Sequence, residues 1–288
     1  MRGFLLAGLL GTVGVTGTLG AVPAKAQIVD YVAPQPVQLE AERLKAYPAR
    51  EAGQGAAIDG THVYAIVNFA IGQYDRDSGE RVAGWLGPRG GPIAHLNSCY
   101  ADDGRLYCAN SNFPATPMAS SIETFNTEDM THEASRSLGL LDEGSLTWFD
   151  SFGDGWIAGF AHYDGRGGHA FKDHRFGAVA RFDKDWRRMG GWIFPDSVLT
   201  RMAPHAASGG AMGPDGFLYV MGHDRPEMYV LDFPAMGPTL LHVATIAIEA
   251  EGQAFAWDKS TDERVLVAIS RPNREMRVFR IPPIPERD

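Results

Sequence analysis

His95-Leu-Asn-Ser-Cys-Tyr-Ala-Asp-Asp-Gly-Arg-Leu-Tyr-Cys-Ala-Asn110 holds two short apolar runs on either side of Asp103-Gly104. That pair supplies positive φ at low cost and marks a two-residue type I′ turn between antiparallel strands. With the turn fixed there, Asp102 faces Arg105, Ala101 faces Leu106, Tyr100 faces Tyr107 and Cys99 faces Cys108. Bonded and non-bonded pairs alternate along such a ladder, so the cysteines fall on a non-hydrogen-bonded pair with Cα atoms about 4.5 Å apart. A disulfide accepts that separation. Cys99 and Cys108 are the chain's 2 cysteines, and the alternative to their bond is a pair of buried free thiols.

The same paragraph recurs on both sides of this hairpin. The first copy is Gln54-Gly-Ala-Ala-Ile-Asp-Gly-Thr-His-Val-Tyr64 to Asn68, then Ile71 to Asp75 and Glu80 to Trp85. The hairpin itself is followed by Ser121 to Asn126 and a strand near Glu133 to Leu138. Later copies run from Thr147 to Trp192, from Ser208 to Ile246 and from Gln253 to Arg280. Anchoring on Tyr64, Tyr107, Ile157, Tyr219 and Leu266 gives spacings of 43, 50, 62 and 47 residues. The third strand repeats its ending as Tyr74-Asp75, Phe125-Asn126, Phe182-Asp183 and Leu231-Asp232. Four-strand units at such a period indicate an all-β fold, a five-bladed β-propeller of four-stranded antiparallel blades. The last unit lacks a fourth strand, and Val37 to Leu44 is expected to supply it and close the ring. A four-bladed ring with an appended hairpin leaves more sheet edge open.

Met1-Arg2, an apolar run from Gly3 to Val22 and Ala24-Lys25-Ala26 read as a secretory signal peptide over 1–26, with 27–288 as one propeller domain. An uncleaved anchor is the other reading of that run. Without Arg2 and Lys25, 24 basic side chains face 35 acidic ones, a formal charge of −11. Nucleic acid and anionic membrane both call for a basic footprint, so neither is an expected partner. A periplasmic or secreted protein is expected, in a compartment that sustains the disulfide. The oligomeric state is not read from the sequence.

In a propeller the starts of the first strands and the loops between second and third strands share one mouth of the central channel. The first-strand starts carry Gln54, Asn97 after His95, Thr147 after Ser145, Ser208 after His205, and Gln253 after Glu251. The second-strand ends carry Asn68, Asn110-Ser-Asn112, His162-Tyr163-Asp164, His223-Asp224-Arg225 and Ser270-Arg271. Such convergence of polar groups suits a binding cleft. His95, His162, His205 and His223 stand out, because imidazole serves both metal ligation and proton transfer near neutral pH. His162, His223, His95 and Tyr163 are the expected catalytic groups. His95, His162 and His223 are also candidate ligands for one divalent metal ion, with Asp164, Asp224 and Glu251 as carboxylate partners. Gln54, Asn97, Asn110, Thr147, Ser208, Arg225, Gln253 and Arg271 are candidate substrate-binding residues. The Gly-rich stretch from His162 through His169 to Arg175 reads as a rim or lid. Nucleophile-elbow, P-loop, His-Glu-x-x-His and dinucleotide fingerprints are absent from the sequence.

Gln54-Gly-Ala-Ala-Ile-Asp, His95-Leu-Asn-Ser, Phe160-Ala-His-Tyr, Ser208-Gly-Gly, Gly222-His-Asp and Gln253-Ala-Phe-Ala-Trp-Asp resemble a family of exported bacterial β-propellers sometimes labelled cycloisomerase. That resemblance spans nearly all of residues 27–288 and implies the fold and the place of the site. Glu251-Gly-Gln and Trp257-Asp258 resemble gluconolactonase-like propellers, whose metal site uses a glutamate, two asparagines and an aspartate. Glu251 with Asn97 or Asn110 is the loose counterpart, and the histidine-rich mouth departs from that set. Five-bladed glycosidases, with paired carboxylates, are a third comparison; no spacing selects a pair among Asp150, Asp164, Asp224 and Glu251. The expected function is an exported enzyme acting on a sugar, sugar acid or lactone by His-based acid/base or metal-assisted chemistry. The alternative is a non-catalytic propeller binding a glycan, metal or partner protein on the same face.

Overall fold

The fold is given by a computed structural model, which describes residues 35–285; the expected signal segment lies outside them. Strand alternation and turn chemistry build the blades the repeats foretell. Asp103 (φ 43°) and Gly104 (φ 71°) adopt the positive φ of the turn. Cys99 faces Cys108, Tyr100 faces Tyr107 and Asp102 faces Arg105. The Cys99–Cys108 disulfide is formed, with Cα atoms 4.0 Å apart.

Blade one comprises Gly55–Ile58, His62–Val67, Ala70–Asp75 and Arg81–Leu86. Blade two is Leu96–Asp102, Arg105–Ser111, Ala119–Asn126 and His132–Leu140, and blade three is Ser145–Phe152, Gly155–Ala161, Ala178–Phe182 and Arg188–Ile193. Gly209–Met212, Leu218–Met221, Glu227–Asp232 and Leu241–Ala247 form blade four; Ala256–Trp257, Val265–Ser270 and Glu275–Arg280 begin blade five. The chain is thus a five-bladed β-propeller. A short helix, Asp196–Met202, which the repeats do not announce, lengthens the passage from blade three to blade four.

Ring closure differs in detail from the expected strand over Val37 to Leu44. Glu42–Pro48 pairs antiparallel with Glu275–Arg280 and completes blade five. Val37–Glu40 instead pairs parallel with Leu241–Ala247 at the outer edge of blade four. The division follows the side chains: Val37 and Leu39 pack on the core between blades four and five, whereas Tyr47 packs between blades five and one.

Each blade buries its apolar face against the next, so the core is five layers rather than one centre. Tyr64, Ile66, Leu96 and Phe125 fill the layer between blades one and two; Trp148, Val179, Leu218 and Tyr229 fill that between three and four. Polar side chains stitch the inner strands together. Asn97 Nδ2 donates to the Leu146 carbonyl at 3.2 Å, and Thr147 Oγ1 donates to the Ala207 carbonyl at 2.8 Å. Ala254 N donates to the Gln54 carbonyl at 3.1 Å. Gly209 lies so close to the Gln253 carbonyl that a Cβ would sit 2.4 Å from it, so a side chain there would force the blades apart.

In every blade the ladder between the third and fourth strands slips once or more, at Gln73/Tyr74, His132/Ala134 and Ser137/Gly139, Arg181/Phe182, Val230/Leu231 and Arg43/Lys45. Bulges of this kind bend a strand and increase its twist.

The cysteines are 9 residues apart, and a cross-link closing so short a loop contributes about 2–3 kcal/mol on a chain-entropy account. Urea unfolding with and without reductant is expected to differ by that amount, with the double variant Cys99→Ala/Cys108→Ala matching the reduced protein. Equal midpoints in all three would refute the contribution.

Candidate functional site

A polar constellation lies where the second strands of blades three, four and five end. Asp224 follows the last strand residue of its pair by three positions and carries two imidazoles on one carboxylate. His223 Nδ1 lies 2.5 Å from Asp224 Oδ1, and His205 Nδ1 lies 2.7 Å from Oδ2. An ionised carboxylate only accepts, so both rings present N–H at Nδ1, and in the neutral form of either ring Nε2 carries the lone pair. The rings are stacked with centroids 4.0 Å apart. Arg271 from blade five approaches the same carboxylate at 3.8 Å. Gln253, held at φ 74°, donates from Nε2 to the His223 carbonyl at 3.0 Å and fixes this loop.

Tyr163 stands edge-on to both imidazoles, with centroids 4.7 Å from His205 and 5.5 Å from His223, and its hydroxyl lies 3.2 Å from Ser208 Oγ. The aromatic wall continues through Phe113 to His95, at 5.5 and 5.2 Å. Arg166 is positioned over the Phe113 ring. Gly167 (φ 71°) rests against Phe113, where a Cβ would come within 2.7 Å of the ring, and Thr116 Oγ1 donates to the Gly168 carbonyl at 2.9 Å. The glycine-rich stretch therefore lies over the blade-two side of the mouth.

Electrostatics favour the neutral forms of His223 and His95. Burial pushes His223 below its ordinary value, and the nearby His205 and Arg271 act in the same direction, outweighing Asp224. Burial pulls His95 down to about 4, with Arg166 adding to the effect. Burial raises Asp224, but its bonds to His223 and His205 win and hold it below the usual carboxylate range. Burial raises the Tyr163 phenol, so it is a proton donor, not a phenolate.

The sequence-derived residues thus separate into groups. His223, Tyr163, Ser208, Gln253 and Arg271 come together, and His95 joins them through Phe113. Gln54 donates from Nε2 to Asn68 Oδ1 at 2.7 Å in blade one. Asn97 and Thr147 are buried with their polar atoms turned to neighbouring blades. Asn110 receives His95 N on its Oδ1 and donates to Ser121 Oγ, next to buried Glu123. Arg225 is exposed beside Asp224. His162 is 2% exposed and lies between Gly144 and Gly168, under the glycine-rich stretch. Among the described residues neither of its ring nitrogens has a hydrogen-bond partner of good geometry, and burial, with Lys172 adding to it, pushes the imidazole below its ordinary value against the opposing pull of the Glu143 backbone.

His205 is the member of the constellation that the catalytic and metal assignments left out. Its signal was the Gly222-His-Asp sequence, since one carboxylate beside one imidazole has a second oxygen to offer. Among the described residues, His205, His223 and Asp224 bring three donor atoms within 4.8 Å of one another, as do Asp164, Asp173 and His174.

No protein-family model matches this chain, and no curated protein does. Among solved structures it is similar to a luciferin-regenerating enzyme, at 11% identity and a TM-score of 0.46 over 78% of this chain and 75% of that one. It is also similar to U3-55K, at 11% identity and a TM-score of 0.44 over 78% and 80% of the two chains. Regucalcin, a calcium-binding protein from Agrobacterium tumefaciens, aligns at 14% identity and a TM-score of 0.43 over 78% and 74%. Likenesses this loose bear on neither the blade count nor the chemistry of the mouth.

Proposed function

We propose that this propeller is an exported enzyme that transfers protons on a small polar or cyclic substrate, a sugar acid or its lactone. The observation that carries the reading is one carboxylate holding two stacked imidazoles by Nδ1. Asp224 fixes the tautomer of each ring, and burial keeps His223 neutral, so its Nε2 is a base at neutral pH. Tyr163 is the facing proton donor. Arg271 is placed to hold a carboxylate or to stabilise an enolate that proton abstraction creates. Proton abstraction beside a carbonyl, lactone opening and isomerisation need no covalent nucleophile. Export accords with the disulfide, and among the described residues no helix is long and apolar enough to cross a membrane.

A second reading rests on the same three side chains. Two nitrogens and one carboxylate oxygen match the donor set of a zinc-like divalent ion better than that of an oxygen-loving one. His205 and His223 would then surrender their bonds to Asp224 and ligate through Nδ1, and the ion would polarise a substrate carbonyl.

The test combines a panel of sugar-acid lactones, followed by proton release, with elemental analysis of protein purified without chelator. Turnover is expected to fall at least about 100-fold in Asp224→Ala and His223→Ala, the lower range for losing a general base, with near-ultraviolet circular dichroism unchanged. One divalent ion per chain, absent from both variants, would select the metal reading. Stoichiometric binding of lactones without turnover of any would select the non-catalytic propeller, and equal turnover in variant and parent would discard the site.

A further inference from the structure

A concavity opens on blade one, where the fourth strand leaves toward blade two. Phe69, Leu86, Pro88, Ile93 and Ala94 form its apolar wall, and Arg89 is its charged lining residue. Its volume, about 730 Å³, is that of a small-molecule pocket. Phe69 is 51% exposed and Leu86 72% exposed. Large apolar side chains scattered over a surface are ordinary, but here they share one concave wall, which is the arrangement that marks a binding site. Arg89 makes no ion pair or hydrogen bond among the described residues. Phe69 and Ala94 follow and precede Asn68 and His95 in the chain.

We infer that this cleft binds an amphipathic monocarboxylate, its apolar body against Phe69, Leu86 and Ile93 and its carboxylate on the Arg89 guanidinium. Each half of the ligand answers one half of the wall. The apolar surface excludes water around the contact, which strengthens a charge-assisted bond made at its edge. The guanidinium offers a planar fork that matches a carboxylate in two-point contact, which an ammonium group does not. The chain as a whole carries a formal charge of −9, so a cation without a partner beside an apolar wall is a local exception that selects an anion. A concave volume of this size fits a compact ligand rather than an extended peptide. The inference goes beyond the reading of the mouth and stands or falls without it.

Calorimetry with octanoate tests it, using octan-1-ol and octylammonium as probes of the same chain length with the charge removed or reversed. One octanoate per chain is expected, with affinity falling as salt is raised. Arg89→Ala and the change from octanoate to octanol are each expected to weaken binding about tenfold or more, and Arg89→Lys by less than Arg89→Ala. Leu86→Ser should weaken octanoate and octanol alike, which separates the apolar half from the charged half. Arg89 and Leu86 are both exposed, so the variants should keep the parent's near-ultraviolet circular dichroism. Absence of octanoate binding, equal binding of octylammonium, or an Arg89→Ala variant that binds as the parent does would overturn the assignment. So would a dimer in sedimentation that Leu86→Ser dissociates, since a second copy of the chain would then occupy the cleft.

Discussion

A chain lacking residues 1–48 is expected to lose cooperative unfolding and to aggregate. The strand Glu42–Pro48 is a small part of the sequence, but it joins the two ends of the ring. It completes blade five along seven residues and reaches across to blade one, where Lys45 Nζ donates to the carbonyls of Arg76 and Asp77, both at 2.8 Å. The Tyr47 hydroxyl donates to the Arg76 carbonyl at 2.7 Å. Its ring is 3% exposed and belongs to the layer that holds Ala56, Val63, Val267 and Met276. Without the strand, that layer and the backbone of Glu275–Arg280 face water. A graded version is Tyr47→Ala, which should cost about 3 kcal/mol, the usual scale for truncating a buried aromatic. Urea unfolding reads both. A truncated chain with the parent's single sharp transition would show that the ring holds without its clasp.

Between pH 6.5 and 4 the protein is expected to lose about 3 kcal/mol of stability through His95 alone. In the unfolded chain this imidazole takes up a proton near pH 6.5. In the fold, burial and then Arg166 delay that uptake until about pH 4. The unfolded state therefore binds more protons throughout this window, and stability falls as the pH does. The contribution is complete above pH 6.5. Burial displaces His162 and His223 in the same direction, so they add to the slope. Urea midpoints at pH 7.5, 5.5 and 4.2 should drop steadily in the parent and less steeply in His95→Asn. Parallel profiles for the two proteins would mean that His95 titrates normally in the fold.

Architecture was legible because its signals are local. Asp103-Gly104 fixes a turn, the turn fixes the register, and the register places Cys99 opposite Cys108, as found. The recurrence of that unit supplied the blade count. The division of the N-terminal segment was harder to read, since Val37-Gln-Leu-Glu and Glu42 to Pro48 both alternate and only tertiary packing assigns them to different blades. The direction of a side chain at a strand end was harder still. His162 and Tyr163 are adjacent, so a change of one residue in register exchanges which of them meets the channel. The ladder of blade three slips between Leu146 and Trp148, and it is Tyr163 that faces His205 and His223 while His162 turns beneath the neighbouring loop. Asn97 and Thr147 sit where a mouth residue would, but a hydroxyl or amide at that depth bonds the nearest carbonyl, here that of the adjoining blade.

The slipped ladders of the outer strands bear on how this protein behaves in a crowded solution. A flat outer strand is a template on which another molecule can extend the sheet, and five blades present five such templates. Each slip twists its rim strand out of plane and interrupts the regular row of donors and acceptors that an incoming strand would copy. In blade four the rim is instead the short parallel strand Val37–Glu40, only four residues long, and short edge strands offer little to an incoming strand. The slips therefore blunt the edges that the blades would otherwise offer for edge-to-edge sheet extension.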